Sequence, residues 1–272
     1  GAEKIVLFLS IVKIKFKKYQ GAGNDFVLID NRSLAFPEGN QQQLIQRLCD
    51  RNFGIGADGL ILLQAHESAD FEMVYYNCDG HPSSLCGNGG RCIVAFAKQL
   101  GMIQNKACFY ANQQDYCAEI KKDDIISLAM QDVLSIQIEK SFCFLDTGSP
   151  HHVVFVDTIK NIDVRSEGSS IRYGAPYGAP GTNVNFVAPI AADRFAIRTY
   201  ERGVEGETLA CGTGAVAAAL ALYATQRSTA HSITLEALGG NLQVDFTPAG
   251  EGFTNIHLAG SAIFIFEGVY EY

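Results

Sequence analysis

Polar and apolar residues alternate from Lys13 to Phe16, which predicts a strand. The step Gly21-Ala22-Gly23-Asn24-Asp25 breaks it, and Phe26 to Ile29 resumes as a second strand, so a plain glycine hairpin accounts for this segment. Leu44 to Cys49 has the spacing of a short amphipathic helix. Gly54-Ile55-Gly56-Ala57-Asp58-Gly59 then leads into the apolar strand Leu60 to Leu63. These glycines precede a strand instead of opening a helix, which excludes a dinucleotide fingerprint. Phe71 to Tyr76 reads as a strand closed by the turn Asn77-Cys78-Asp79-Gly80. A helix is expected over Cys92 to Leu100, ended by Gly101, and strands over Ala107 to Ala111, Tyr116 to Ile120 and Ile125 to Met130.

The order then repeats. Strands Phe142 to Leu145 and Val153 to Val156 flank Gly148-Ser149-Pro150-His151, and a glycine- and proline-rich loop covers Tyr173 to Thr182. Strands Asn183 to Val187 and Phe195 to Tyr200 follow. Ala215 to Ala224 is so uniformly apolar that its helix should be buried all round. Strands Ser232 to Glu236, Leu242 to Phe246 and Asn255 to Ala259 come next, and Ala262 to Phe266 is expected to cross back to the first half. The pattern predicts an α+β fold of two similar halves, each a mostly antiparallel sheet wrapped around one helix, with a ligand cleft between them. Residues 13–134 form the first half, joined by the final strand 262–272, and 135–261 form the second. Residues 1–12 are an extension; its apolar run Ile5 to Val12 falls well short of the roughly 20 residues of a membrane span and reads as an extra edge strand or loose tail.

The 272 residues carry 21 basic and 29 acidic side chains, a net charge of −8, and no basic cluster beyond Lys13 to Lys18. Nucleic-acid and membrane partners are not expected. The eight cysteines are irregularly spaced without a CxxC pair, which argues against a disulfide scaffold or a zinc ribbon and for a reducing cytoplasm.

Two stretches carry the chemistry. Cys86-Gly87-Asn88-Gly89 and Cys211-Gly212-Thr213-Gly214 each join a cysteine, through a glycine-rich step, to an apolar run of helical length. A helix N-terminus offers free N–H groups and partial positive charge, which favour a thiolate and can hold a carboxylate. Two such units suit proton exchange at the α-carbon of an amino acid, one thiol on each face, with the backbone of Gly87, Asn88, Gly212 and Thr213 on the carboxylate. No lysine sits in a pyridoxal-like motif and no metal-ligand cluster is apparent, so cofactor-free chemistry is expected. A buried cysteine is more often a small hydrophobe. Cys92 is read as core, and Cys49, Cys78, Cys108, Cys117 and Cys143 as packing residues; His152 is read as structural.

Gly21-Ala22-Gly23-Asn24-Asp25-Phe26, Gly54-Ile55-Gly56-Ala57-Asp58, Asn77-Cys78-Asp79-Gly80, Cys86-Gly87-Asn88-Gly89, Gly181-Thr182-Asn183-Val184, Tyr200-Glu201-Arg202-Gly203 and Ala210-Cys211-Gly212-Thr213-Gly214 together resemble the diaminopimelate epimerases, in that family's order. The resemblance implies cofactor-free interconversion of LL- and meso-diaminopimelate on the way to lysine and peptidoglycan, in a cytoplasmic homodimer. It implies that Cys86 and Cys211 are the acid–base pair and that Asn24 lines the site. Asn77, Asn183, Glu201 and Arg202 would read the distal end of the substrate, while His151 and Glu201 would tune the thiols. Ser149 stands where many members carry Asn, Gly59 where many carry Gln, and Gly203 to Glu207 is one residue longer than usual. A proline racemase or hydroxyproline epimerase, a phenazine-pathway isomerase and a non-catalytic amino-acid-binding protein are the competing readings. The first has no use for Glu201 and Arg202; the other two have none for paired thiols.

Overall fold

The computed structural model describes residues 12–83 and 86–272; the run from Ile5 lies outside them apart from Val12, whose backbone pairs with Tyr272. Four α-helices are present among the described residues: α1 (Gln41–Cys49), α2 (Gly87–Gln99), α3 (Val164–Tyr173) and α4 (Gly212–Ala224).

The strand pairings give the duplication in full. In the first half, Lys13–Gly21, Asn24–Asp30, Gly59–Gln64, Phe71–Asn77, Lys106–Ala111, Gln114–Ile120 and Ile126–Ala129 pair in that order. The successive pairings run antiparallel, parallel, antiparallel, parallel, antiparallel, antiparallel. In the second half, Cys143–Asp146, Pro150–Phe155, Asn183–Ala191, Arg194–Glu201, Ser232–Ala237, Gly240–Ala249 and Gly252–Gly260 give the same six in the same order. Each parallel step contains a helix, as a crossover requires. Thus α1 corresponds to α3, and α2 to α4. The last strands of the two halves pair antiparallel, Gly252–Gly260 with Ile126–Ala129. The final strand, Ile263–Glu271, returns to pair with Lys13–Gly21.

Period-two alternation sorts the strand residues onto two helices. Phe26, Leu28, Ile61 and Leu63 pack around α2, while Val27, Ile29, Leu60 and Leu62 pack with Leu44, Ile45 and Leu48 of α1. Both faces are covered, so these strands are apolar throughout. In the second half, α4 lies among Val187, Ile197, Leu235 and Val244, and α3 covers Val184 and Phe186. Ala215 to Leu222 are all buried, as the uniform hydrophobicity of that run demands.

Three expectations are corrected. The first long helix begins at Gly87, not Cys92, so Cys86 is itself the N-cap and no loop intervenes; Cys211 caps α4 in the same way. Glycines are poor helix formers, but here they admit close neighbours: a Cβ on Gly87 would stand 3.2 Å from Leu258 Cδ2 and one on Gly212 2.8 Å from the same atom. Helix α3 was not anticipated; its N-cap Asp163 accepts from the Ser166 N–H. Cys108 and Cys117 are exposed and joined as a disulfide, being directly opposite across a hairpin that turns at Asn112 and Gln113, and Cys78 is exposed; Cys49, Cys92 and Cys143 are buried as expected.

Candidate active site

The two cysteine-capped helix starts meet in the middle of the molecule. A Cβ on Gly212 would stand 3.8 Å from the Cα of Gly87, with Leu258 beneath both glycines. The free N–H groups at the start of α2 and α4 therefore open into one place, a site for a carboxylate built by both halves.

Around Cys86, the first-half loops are stitched together by charge. Asn24 Nδ2 donates to Asp58 Oδ2 at 2.6 Å, and the Asp25 N–H donates to the same oxygen at 3.1 Å. Asp25 in turn pairs with Lys18 and Arg51, each at 2.8 Å. Burial opposes the Asp25 charge, but the hydrogen bonds from Arg51 and Lys18 prevail and bring its pKa to about 2. This leaves Asn24 Oδ1 facing the Cys86 sulfur at 3.7 Å. Asn88 Nδ2 donates to Asn24 Oδ1 at 3.2 Å and to the carbonyl of Ala210, the residue before Cys211, at 3.3 Å. One amide thus ties the two thiol segments together.

Around Cys211 the supports are neutral. The sulfur lies 3.4 Å from the Thr213 hydroxyl, which lies 3.0 Å from His151 Nε2; His151 Nδ1 lies 3.0 Å from Asn185 Nδ2. Thr147 Oγ1 donates to the Thr213 carbonyl at 2.9 Å. Burial, then the Arg202 charge, lower the pKa of His151 to about 3, so the imidazole is neutral.

The expectation that helix N-termini make both thiols thiolate-like is corrected. Burial pushes Cys211 up to about 12, and the Glu201 charge adds to it, against the Thr213 hydroxyl and the Gly214 N–H. Burial raises Cys86 as well, against the Gly89 N–H, with Glu201 again adding to the rise. Desolvation of a sulfur outweighs the one or two peptide donors at each thiol. Burial likewise raises the pKa of Glu201 itself.

A second group of predicted residues gathers away from the sulfurs. Asn183 Nδ2 donates to Ser149 Oγ at 2.8 Å and to the Pro150 carbonyl at 2.9 Å, while Asn183 Oδ1 accepts from the Arg202 N–H at 2.9 Å. Arg202 Nη2 reaches Ser149 Oγ at 3.5 Å. The short Ser149 side chain therefore works as a hinge point for Asn183 and Arg202. Asn77 ends its strand opposite Gly59, and no hydrogen bond from its side chain joins it to either group among the described residues.

Three participants went unread in the sequence. Asn185 shows as a polar residue within a buried apolar strand, and Arg91 as a charge within a buried helix; both were legible in principle. Tyr75 was hidden: a Cβ on Gly59 would stand 2.5 Å from the Tyr75 ring, so the glycine leaves that space to the tyrosine. Tyr75 and Cys86 pack against the same cluster around α2, and burial and then the Cys86 charge raise the pKa of Tyr75.

The chain is similar to known proteins in sequence and in fold. The chain is 55% identical to a diaminopimelate epimerase of Flavobacterium psychrophilum, covering 93% of this chain and 99% of that protein. It is 42% identical to that of Chlorobaculum tepidum, over 91% and 98%. Among solved structures, a phenazine biosynthesis protein of the PhzF family from Bacillus anthracis superposes with a TM-score of 0.74 at 16% identity, covering 96% of this chain and 99% of that one. A hydroxyproline epimerase from Agrobacterium vitis, with bound trans-4-hydroxy-L-proline, superposes with a TM-score of 0.64 at 14% identity, over 95% and 92%. These two share the fold. The sequence profile described as diaminopimelate epimerase matches residues 16–130 and 143–265, one stretch in each half and each holding one of the two helix-capping cysteines, so the chain belongs to the diaminopimelate epimerase family.

Proposed function

We propose that the chain interconverts LL- and meso-diaminopimelate by proton transfer between Cys86 and Cys211. The meeting of two cysteine-capped helix starts carries this reading. The substrate's reacting carboxylate sits against the N–H groups of Gly87, Asn88, Gly212 and Thr213, which take up the charge that develops when the α-proton leaves. One sulfur, as thiolate, removes that proton; the other, as thiol, gives its proton to the opposite face. The pair needs no cofactor for this. Enclosure keeps water from quenching the carbanion and is also what raises both thiols, so proton affinity and protection come from the same walls. Ser149, Asn183 and Arg202 hold the distal carboxylate, Arg202 through its planar fork, while Glu201 faces the distal ammonium. Asn24 and Asn77 line the approach. A ring substrate such as proline has no second charged end for this group.

The two halves, 13–134 with 262–272 and 135–261, are proposed to close on the substrate as units. Among the described residues no helix is long and apolar enough to cross a membrane. A cytoplasmic site is proposed because this chemistry needs Cys86 and Cys211 free, as an oxidised sulfur carries no proton, although the exposed Cys108–Cys117 pair is bonded. A homodimer is proposed through the final strand, whose residues Ile263, Phe264, Ile265, Phe266 and Val269 are each 40–53% exposed; this is an apolar strip too continuous for open solvent. Incubation with LL-diaminopimelate, and separately L-proline, in deuterated water tests the reading. The expected result is α-deuterium in diaminopimelate alone, early in the product and scarce in recovered substrate. No deuterium in diaminopimelate would overturn it.

A further inference from the structure

A hydrogen-bond chain ends at each sulfur, and in both chains the donor and acceptor roles are forced. On the Cys211 side the chain starts at the His152 carbonyl, which only accepts. It takes Asn185 Nδ2 at 3.4 Å, so this nitrogen, not the amide oxygen, also faces His151 Nδ1. Nδ1 therefore accepts, and the neutral ring carries its proton on Nε2. That N–H donates to Thr213 Oγ1 at 3.0 Å. The hydroxyl proton is left for the Cys211 sulfur at 3.4 Å. A donor aimed at sulfur favours the thiolate.

On the Cys86 side the order is reversed. The Asp58 carboxylate only accepts and takes Asn24 Nδ2, which turns Asn24 Oδ1 toward the Cys86 sulfur. Arg91 only donates. It is wholly buried and gives Nη2–H to Asn88 Oδ1 at 2.8 Å, so Asn88 Nδ2 must point at Asn24 Oδ1 and hold it there. An amide oxygen locked toward sulfur is met by S–H and repels S⁻.

Resting on the reading of these cysteines as proton carriers, we propose that the free enzyme has a fixed polarity. Cys211 is the sulfur that ionises first and Cys86 the one that keeps its proton, with the Thr213 hydroxyl and Asn24 Oδ1 as the positioning groups that set the order. The helix N–H groups act on both sulfurs, Asn88 and Gly89 on Cys86 and Gly214 on Cys211; with the Thr213 hydroxyl counted, each sulfur faces two donors, and Cys86 alone also faces the Asn24 oxygen. Glu201 raises both thiols. Tyr75 and Cys92 face Cys86 without donating to it, and Arg202 acts on the Cys211 chain only by keeping His151 neutral. The Arg91 charge also pulls toward ionised Cys86, but its three hydrogen bonds go to Gly87 O, Asn88 Oδ1 and Ser261 O and none to the sulfur. In turnover from this state, Cys211 S⁻ takes the α-proton and becomes S–H. The C–H electron pair stays on carbon and spreads into the carboxylate. The carbon then takes the Cys86 proton, leaving Cys86 S⁻, which exchanges with water after release.

Alkylation of the substrate-free protein by iodoacetamide between pH 7 and 9.5, read by peptide mapping, tests this, with exposed Cys78 reporting reagent activity. Cys211 should react about tenfold faster than Cys86, the change in thiolate fraction for one pKa unit. Thr213→Val should remove that advantage, whereas Thr213→Ser, which keeps the hydroxyl, should retain it. Faster reaction of Cys86 in the unaltered protein overturns the proposal, and so does a Thr213→Val variant with unchanged Cys211 rate. If the variant does not fold, the order in the unaltered protein decides alone. The assay uses no substrate, so an inverted order beside α-deuterium in diaminopimelate would remove the polarity and leave the activity standing.

Discussion

The starts of α2 and α4 occupy equivalent places in a duplicated fold, yet their surroundings have opposite chemistry. Five residues after Cys86 comes Arg91, and five after Cys211 comes Val216; both are wholly buried. The first thiol is braced by an ionic lattice of Lys18, Asp25, Arg51 and Asp58, the second by neutral hydroxyls, amides and an uncharged imidazole. Duplication supplied two helix starts that meet at one place. Divergence of the supports supplied what a symmetric pair lacks, a distinction between acid and base.

The comparison breaks first at the sulfurs. Cys86→Ala and Cys211→Ala should each cut epimerisation by about 10²–10⁴-fold, the weight of a missing acid or base. Near-normal activity in either would mean the two halves do not share the reaction. Next comes the proposed distal end, where the second half contributes Ser149, Asn183, Glu201 and Arg202. Arg202→Lys keeps the charge and loses the fork, and should cost about 1–3 kcal/mol in kcat/KM. An unchanged value would show that Arg202 reads no substrate group. Glycines test the neutral support against its counterpart. A Cβ on Gly214 would stand 2.4 Å from Asn185 Oδ1, while one on Gly89 would stand 3.1 Å from the flexible Ile61 Cδ1. Gly214→Ala should lower stability by about 1–3 kcal/mol and Gly89→Ala by clearly less, measured by denaturant unfolding; equal losses would undo the contrast.

The smallest effect is the response to acid. The Asp25 pKa falls from 3.8 to about 2 on folding, so its contribution is complete above the unfolded value and disappears as pH drops toward the folded one. The stability gap between the unaltered protein and Asp25→Asn should narrow as pH falls from 5 to 2. Hydrogen exchange around Asn24 should loosen over the same window. A constant gap would mean that Asp25 has no stabilising pairs.

Much of the fold was legible, and so were the two helix starts, because each is written in sequence as a cysteine followed by glycines and an apolar run; the grouping of Asn183 with Arg202 follows from their hydrogen bonds. Helix α3 was not legible for a definite reason. Its buried positions are Val164, Gly168 and Arg172, correctly spaced for one face but not apolar. Gly168 is there because a Cβ would stand 2.4 Å from Tyr200 Cβ, and Arg172 because it pairs with Glu205 at 3.1 Å. The Cys108–Cys117 pair required the turn to be placed at Asn112-Gln113, after which the register follows. The upward shift of both thiols was beyond sequence, since it depends on how completely distant segments exclude water.

The pairing of Lys13 with Glu271 has a consequence for the birth of the chain. Lys13–Gly21 finds its hairpin partner at once, but its other edge waits for Ile263–Glu271, which begins 242 residues later (263 − 21). At about 5–20 residues per second of synthesis, that edge stays open for roughly 12–50 s. An open edge recruits strands from neighbouring chains. Lys13, Lys15, Lys17 and Lys18 all lie on this strand, and lysine on an edge is the common deterrent to such recruitment. Lys18 ends buried against Asp25, while Lys13, Lys15 and Lys17 are left to discourage such recruitment until the final strand arrives.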